Sequence, residues 1–454
     1  MSESGPTGSP PETRYAETDG LSIAYQVFGS GATDLVVLPP IFSHVEANWQ
    51  YPAYAAMLRR LGERFRVVIF DKRGQGLSDR FEGAPSLEQR MDDLNAVMQA
   101  AGSKRAVLYA ASEAGPMAAL FTATYPARVE RLILYASMAR FTRAPDYPHR
   151  PALDRMLAVV AQTWGTPQSG PLFAPSRAGD AAWCEAIARY QRLSASPSAI
   201  RRALIANDQI DVREVLPQIR RPTLIIHRRD DRAVSCANGR YLADHVPGAV
   251  YLELPGDEHV APEGDSGAIV DAIVGFAAAR AVHAPEQHAG RWLATLLFAD
   301  IVGSTETAAR LGGGAWRDLL ARLHDAAREQ VDAYRGRIVD TAGDGWFAVF
   351  DGPARAIRCA GALQQAFAAL GVGLRAGLHT GEVETGSGSA DQPLTGLAVH
   401  IGARVSACAG AGEIWVTGLV RDLVPGSGIA FEPRGTHTLK GVAGDWALWR
   451  VLAA

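Results

Sequence analysis

The sequence predicts two α-and-β domains in series: a mostly parallel sheet overlaid by a helical cap, then a smaller α+β domain. Three observations predict this. Short apolar runs alternate with helical patterns over the first part of the chain. The rhythm breaks between about 140 and 217. A different pattern, with a strand hairpin at its centre, begins after the small, polar, Pro-containing stretch 279–290.

In the first part, DLVVLPP (34–40), FRVVIFD (65–71), RAVLYAA (105–111), RLILYAS (131–137), PTLIIH (222–227) and AVYLELP (249–255) read as buried strands. Periodic segments such as LEQRMDDLNAVMQAAG (87–102) lie between them, which predicts a parallel sheet with helices on both faces. Residues of about 140–217 read as a helical cap, with Trp164 and Trp183 as core side chains. The organisation expected is a disordered tail over 1–13, a first domain over 14–280, a linker over 281–291 and a second domain over 292–454. The second domain reads as a strand (293–298), a helix (305–331), paired strands RIVDTA and GWFAVF, a helix (353–370), a strand (373–379), a helix (396–409) and a strand (413–416).

Composition narrows the function classes. The 454 residues are 48% hydrophobic and 20% charged, with 45 Lys plus Arg against 48 Asp plus Glu and a net charge of -3. No basic excess points to nucleic acid or an anionic membrane surface. Cys184, Cys236, Cys359 and Cys408 are scattered, with neither zinc-site nor disulfide spacing. The N-terminus, MSESGPTGSPPE, has neither the positive region nor the apolar region of a secretory signal. The expected location is cytoplasmic.

Chemistry concentrates first at FADIVGSTET (298–307). Asp300 ends an apolar strand just before a Gly-Ser-Thr turn (Gly303, Ser304, Thr305) that opens a helix. In the hairpin, Asp344 sits in Gly-Asp-Gly; alone it reads as a turn residue. Two carboxylates at strand ends, one beside a helix N-terminus, suit divalent cations and a triphosphate: hard cations take oxygen ligands, and free helical N–H groups receive phosphate oxygens.

With FADIVGST, VDTAGDGWFAVF, LRAGLHTGEVE (374–384), GLAVHIGARV (396–405) and RGTHTLKGVAGDWALWRV (434–451) in that order, residues 293–454 resemble a class III nucleotide cyclase catalytic domain. The resemblance implies a ferredoxin-like α+β fold and a head-to-tail homodimer with active sites at the interface. It implies that Asp300, Asp344 and the carbonyl of Ile301 hold two Mg²⁺ or Mn²⁺ ions, that Arg404 stabilises charge during ring closure and that Lys440 grips the polyphosphate. The family's base-reading Lys is here Asp340, its partner falls at about Pro393, and its ribose-positioning Asn is His400. A carboxylate at 340 accepts from the adenine amino group or from guanine N1–H and N2–H. A fused cyclase group with an N-terminal hydrolase domain carries such residues, and the chain resembles it end to end. That implies ATP as substrate, with weak discrimination against GTP.

The first domain has its own chemistry. In AASEAG, Ser112 follows a strand and precedes a helical run, the setting of a nucleophile elbow, with Ala110 and Ala114 in place of the usual glycines. DKRGQGLSDR (71–80), Asp231 after PTLIIH, and His259 in PGDEHVAPEGD complete a resemblance to the α/β-hydrolase family over roughly 20–280. It implies Ser112 as nucleophile, His259 as general base and Asp231 as its orienting acid, with the adjacent Asp230 as alternative. The oxyanion hole is expected from the backbone N–H groups of Glu113 and Ile41, since Pro39 and Pro40 have none. His44 and His227 read as structural or pocket-lining. The expected ligand is a small apolar molecule or ester, either hydrolysed or sensed. The competing readings are an esterase whose cyclase-like domain only dimerises, and a binding module with neither activity.

Overall fold

The computed structural model describes residues 10–279, 290–385 and 394–453. The chain divides into two compact units, Met1–Ala284 and Pro285–Ala454. Residues 1–9 of the expected tail, most of the expected linker, and Pro393 lie outside the described residues.

The first unit is an eight-stranded sheet. Its strands are β1 (Thr13–Thr18), β2 (Leu21–Phe28), β3 (Asp34–Leu38), β4 (Arg66–Phe70), β5 (Ala106–Ala111), β6 (Val129–Tyr135), β7 (Thr223–Arg228) and β8 (Val250–Leu254), in the order β1-β2-β4-β3-β5-β6-β7-β8. β2 pairs antiparallel with β1 on one side and β4 on the other; from β4 onward the pairs are parallel. The parallel strands are continuous Val, Ile and Leu runs because helices cover both faces. The β1–β2 hairpin was not expected. It turns on Asp19 and Gly20, both at positive φ (51° and 74°), the backbone a tight two-residue hairpin requires.

Helices α1 (Ala47–Gln50), α2 (Pro52–Gly62), α3 (Leu87–Ala100) and α4 (Gly115–Thr124) follow the early strands. α3 starts at a capping box, with Ser86 accepting from the Gln89 N–H and the Gln89 side chain accepting from the Ser86 N–H. The insertion between β6 and β7 is helical, with α5 (Leu153–Thr163), α6 (Gly170–Phe173), α7 (Ala181–Ser194) and α8 (Pro197–Asn207). α9 (Ala237–His245) and α10 (Ser266–Ala278) complete the unit.

The second unit is built on β9 (Arg291–Ile301), which pairs antiparallel with β11 (Gly345–Phe350) on one side and β12 (Leu374–Thr385) on the other. β10 (Arg337–Ala342), β13 (Leu394–Thr395), β14 (Ile414–Thr417), β15 (Ala430–Thr438) and β16 (Asp445–Ala453) complete the sheet, ordered β10-β11-β9-β12-β14-β16-β15 with β13 on β12. Helices α11 (Ser304–Leu311), α12 (Gly313–Ala333), α13 (Pro353–Ala369), α14 (Leu397–Cys408) and α15 (Gly418–Asp422) alternate with them.

Leu297, Ala299 and Ile301 point into a core with α12 and α13, while Phe298 and Asp300 face the opposite side. Three expectations are corrected. The single helix over 305–331 is interrupted at Gly312, whose φ of 77° cannot continue a right-handed helix. The strand over 293–298 extends to Ile301, so Asp300 lies inside the ladder, opposite Gly345 and Arg375. RGTHTLKGVAGDWALWRV, given no elements in advance, forms the β15–β16 hairpin with Lys440 in its turn. Among the described residues no helix is long and apolar enough to cross a membrane.

Candidate active sites

In the first unit Ser112 leaves β5 at φ 53°, a strained backbone for a residue with a side chain. The surroundings hold it there. The Ser137 hydroxyl donates to the Ser112 carbonyl at 2.7 Å. A Cβ on Gly115 would lie 1.7 Å from that same hydroxyl, so only glycine fits beside the turn. Ala110 and Ala114 are fully buried and accommodate the elbow.

His259 Nε2 lies 2.9 Å from Ser112 Oγ, and His259 Nδ1 lies 2.8 Å from Asp231 Oδ2. The other Asp231 oxygen accepts from the N–H groups of Ala233 and Val234, both at 2.9 Å. Burial opposes the charge on Asp231, but His259, His227 and the Val234 N–H outweigh it and hold the carboxyl well below the usual carboxylate range. Asp230 is exposed and its N–H serves Gly256, so the geometry selects Asp231. His227 is fully buried, bonded to the Val234 carbonyl at 2.7 Å, and 3.6 Å from Asp231.

Ser112 and His259 open on a cavity of about 120 Å³, walled by Phe42, Tyr51, Tyr54, Phe173 and Tyr190. Phe42 makes edge-on contacts with Trp164, Phe173 and Tyr190, so the wall is a packed aromatic set. Met57, Leu58 and Leu61 close its floor at 3% exposure or less. Ile41 is half-buried between the lining residues Pro40 and Phe42 and accepts from Gln75 through its carbonyl. His44 takes the Ala47 N–H and has no place in the triad.

The Glu113 side chain was not foreseen. It is buried and bonded by Lys72, by Arg90 at 2.5 Å and by Asn207 of α8 at 2.8 Å. Burial works against its charge, but Lys72 and Arg90 hold the carboxyl low; burial pushes Lys72 down to about 8. This cluster anchors the residue next to Ser112.

In the second unit Asp300 and Asp344 come together at neighbouring strand ends. Gly345 is paired with Asp300, and the Ile301 N–H donates to the Asp344 carbonyl at 3.2 Å. Gly343 (φ 64°) and Asp344 form the turn. Asp300 faces a cleft of about 640 Å³ that Asp340, Arg375 and the α14 residues Val399 and Ala403 also line. Asp340 is exposed and accepts from the Thr341 N–H through one oxygen.

α11 is preceded by Gly303 as its N-cap (φ 66°), which has no side chain to cap the first turn. Among the described residues no group of three or more His, Cys, Asp or Glu side chains is arranged to hold a metal ion. An oxygen-only pair suits Mg²⁺, which is held by one or two carboxylates plus substrate phosphates, and not a closed protein cage.

Arg375 is the residue the sequence reading missed. Its guanidinium reaches Asp300 Oδ2 at 2.6 Å. The available signal was a charged side chain inside the otherwise apolar strand LRAGLH.

Arg404 and His400 project, exposed, from one face of α14, and Arg404 Nε donates to the Lys440 carbonyl at 3.1 Å. His400, Arg404 and Lys440 do not line the Asp300 cleft. Within one chain Asp300 and Asp344 adjoin through the backbone and Arg404 adjoins Lys440, and Asp344 is likewise absent from the lining of that cleft.

Residues 45–254 match the family described as Serine aminopeptidase, S33, and residues 292–451 match the Adenylate and Guanylate cyclase catalytic domain. The putative carbamate hydrolase RutD of Caulobacter sp. (strain K31) is 29% identical over 242 residues, 50% of this chain and 87% of that protein. Putative adenylate cyclase 3 of Rhizobium meliloti (strain 1021) is 30% identical over 168 residues, 35% of this chain but 28% of that protein. Among solved structures, bromoperoxidase from Bacillus anthracis aligns at TM-score 0.52 and 18% identity, over 59% of this chain and 99% of that one, a likeness of fold.

Proposed function

The chain joins an α/β-hydrolase domain to a catalytic domain of the adenylate and guanylate cyclase family, and we propose that it converts ATP to 3′,5′-cyclic AMP and pyrophosphate as a homodimer. The observation that carries this reading is Asp300 on the wall of a cleft of about 640 Å³, with Asp344 adjoining it through the backbone at the next strand end. Asp300, Asp344 and the Ile301 carbonyl would hold two Mg²⁺ or Mn²⁺ ions. Such ions offset phosphate charge and lower the pKa of the attacking hydroxyl.

The protein's own residues position and neutralise. The open N–H groups at Gly303, Ser304 and Thr305 receive phosphate oxygens. Arg375 adds a cation beside Asp300. Arg404 and Lys440 of the second copy would complete the site, in keeping with their absence from the cleft lining within one chain. Asp340, on the cleft wall, accepts from the base. An acceptor there serves the adenine amino group and the guanine N–H groups alike, so selectivity against GTP is weak.

The test is full-length protein with Mg²⁺ or Mn²⁺ and ATP or GTP, with products separated by chromatography. Cyclic AMP that disappears in Asp300→Ala supports the reading; no cyclic nucleotide from either substrate with either metal overturns it.

A second activity is favoured by the Ser112–His259–Asp231 hydrogen-bond chain. We read the first domain as a serine hydrolase for compact apolar esters. The closed floor and aromatic wall suit a short or cyclic acyl group and exclude a long chain. A nitrophenyl ester series should peak at acetate or butyrate, and a peak at palmitate would refute that size class. Cyclic AMP output with and without a Ser112-directed inhibitor tests whether ligand occupancy of the first domain controls the cyclase through dimer geometry; an unchanged output makes the two activities independent.

A further inference from the structure

Arg228, at the end of β7, is 1% exposed and is among the largest fully buried side chains of the chain. Burying a guanidinium is costly unless its donors are satisfied. Here they are spent on one loop. Nη1 donates to the carbonyls of Glu258 at 3.2 Å and Val260 at 3.4 Å, and Nη2 donates to the carbonyl of Glu263. Its counter-charge, the Glu258 carboxylate, lies 3.6 Å away on the same loop. Glu258 and Val260 are the two neighbours of His259. We propose that Arg228 is a positioning residue that fixes the imidazole of His259 between Ser112 and Asp231. The inference rests on the reading of Ser112, His259 and Asp231 as a catalytic triad.

The fork geometry explains why arginine stands there. Planar donors diverging from one rigid group can reach carbonyls on both sides of a bend, which an ammonium cannot do without losing partners. The counter-charge of Arg228 is held closely: a Cβ on Gly256 would lie 3.1 Å from Glu258 Oε2, and one on Gly264 3.0 Å from the same oxygen.

Arg228 holds the loop from the sheet side only. From the other side the insertion holds it: the His259 N–H donates to the Phe173 carbonyl at 2.7 Å, and Glu263 accepts from Trp183 Nε1 at 3.0 Å. Tyr51 also bonds Glu263. The base therefore sits on a loop clamped between sheet and cap, with the guanidinium as the sheet-side jaw. Arg228 never touches the reacting atoms; it acts through the backbone that carries His259.

The experiment compares wild type, Arg228→Met and Arg228→Lys in the full chain. Readouts are the rate of fluorophosphonate labelling of Ser112, kcat and KM on p-nitrophenyl acetate, the low-field proton resonance of the His259–Asp231 hydrogen bond, and the melting temperature. The expected result is at least a tenfold loss of labelling rate and kcat in Arg228→Met with KM little changed, loss or broadening of the low-field resonance, and partial recovery in Arg228→Lys. A folded Arg228→Met that labels at the wild-type rate and keeps its resonance overturns the proposal, leaving a purely structural arginine. If wild type is neither labelled nor active, the triad reading fails. The resonance then decides the positioning claim by itself: its presence in wild type and loss in Arg228→Met upholds the claim, and its persistence in Arg228→Met, or its absence from wild type, refutes it.

Discussion

Arg375 and Asp300 face each other across neighbouring strands, with the guanidinium 2.6 Å from the carboxylate and both side chains about a third exposed (35% and 34%). At that exposure the pair is worth about 1 kcal/mol or less to folding. Its value lies in holding a carboxylate and a cation on the same cleft wall. Asp300→Ala and Arg375→Ala should each abolish cyclic nucleotide formation while leaving the melting curve nearly unchanged. Unfolding of either variant at ordinary temperature would instead assign the pair a structural role.

Separation of the two halves of the cyclase site predicts complementation. Asp300→Ala and Arg404→Ala should each be inactive, yet an equal mixture should recover about a quarter of wild-type activity, because half the dimers are mixed and each carries one intact site. Rates of cyclic AMP formation before and after mixing check this. No recovery after subunit exchange would argue against a shared site.

The buried acid of the triad predicts a large kinetic loss at small structural cost. Asp231→Asn keeps the shape but favours the wrong imidazole tautomer, so ester turnover should fall by about 10⁴. Nitrophenyl acetate hydrolysis measures it, and a loss smaller than tenfold would return Asp230 to consideration.

His379 predicts a pH dependence in the second unit. Burial lowers its pKa from 6.5 to about 3, and its ring is 3.0 Å from the Thr417 hydroxyl. Between those values the unfolded chain binds a proton that the folded chain refuses. Stability is therefore full above pH 6.5 and falls as pH drops toward 3, by up to about 1.4 kcal/mol per pH unit. His379→Gln, which keeps a hydrogen bond and does not titrate, should flatten the slope of urea midpoints measured between about pH 5 and pH 7. An unchanged slope would exclude His379 as its source.

The parts of the fold visible in the sequence are those where one physical rule acts alone. Buried parallel strands such as RAVLYAA and PTLIIH are apolar end to end and announce themselves. The β1–β2 hairpin has exposed strand positions and so lacks that run; its signal was the Asp19-Gly20 pair. Gly312 lies in LGGG, where the helical period continues across the break and conceals it.

Site residues divide in the same way. Ser112, Asp231 and His259 stand in local turns that can be read, and they meet in space. Arg228, Glu113 and Arg375 act through partners remote in the chain, 30 positions away for Arg228 and Glu258, 94 for Glu113 and Asn207 and 75 for Arg375 and Asp300, and no local pattern encodes such meetings.

The ladder between β9 and β12 runs without a slip from Arg291 opposite Glu384 to Ile301 opposite Leu374. A displacement by a single residue would invert every side chain, driving the carboxylate of Asp300 into the oily layer under α12 and α13 and putting Ile301 in its place. Such a chain would not be a weak enzyme; it would fail to fold. Proofreading of the cleft-facing acid is thus delegated to the assembly of the sheet, and any molecule that reaches the native state has already passed it.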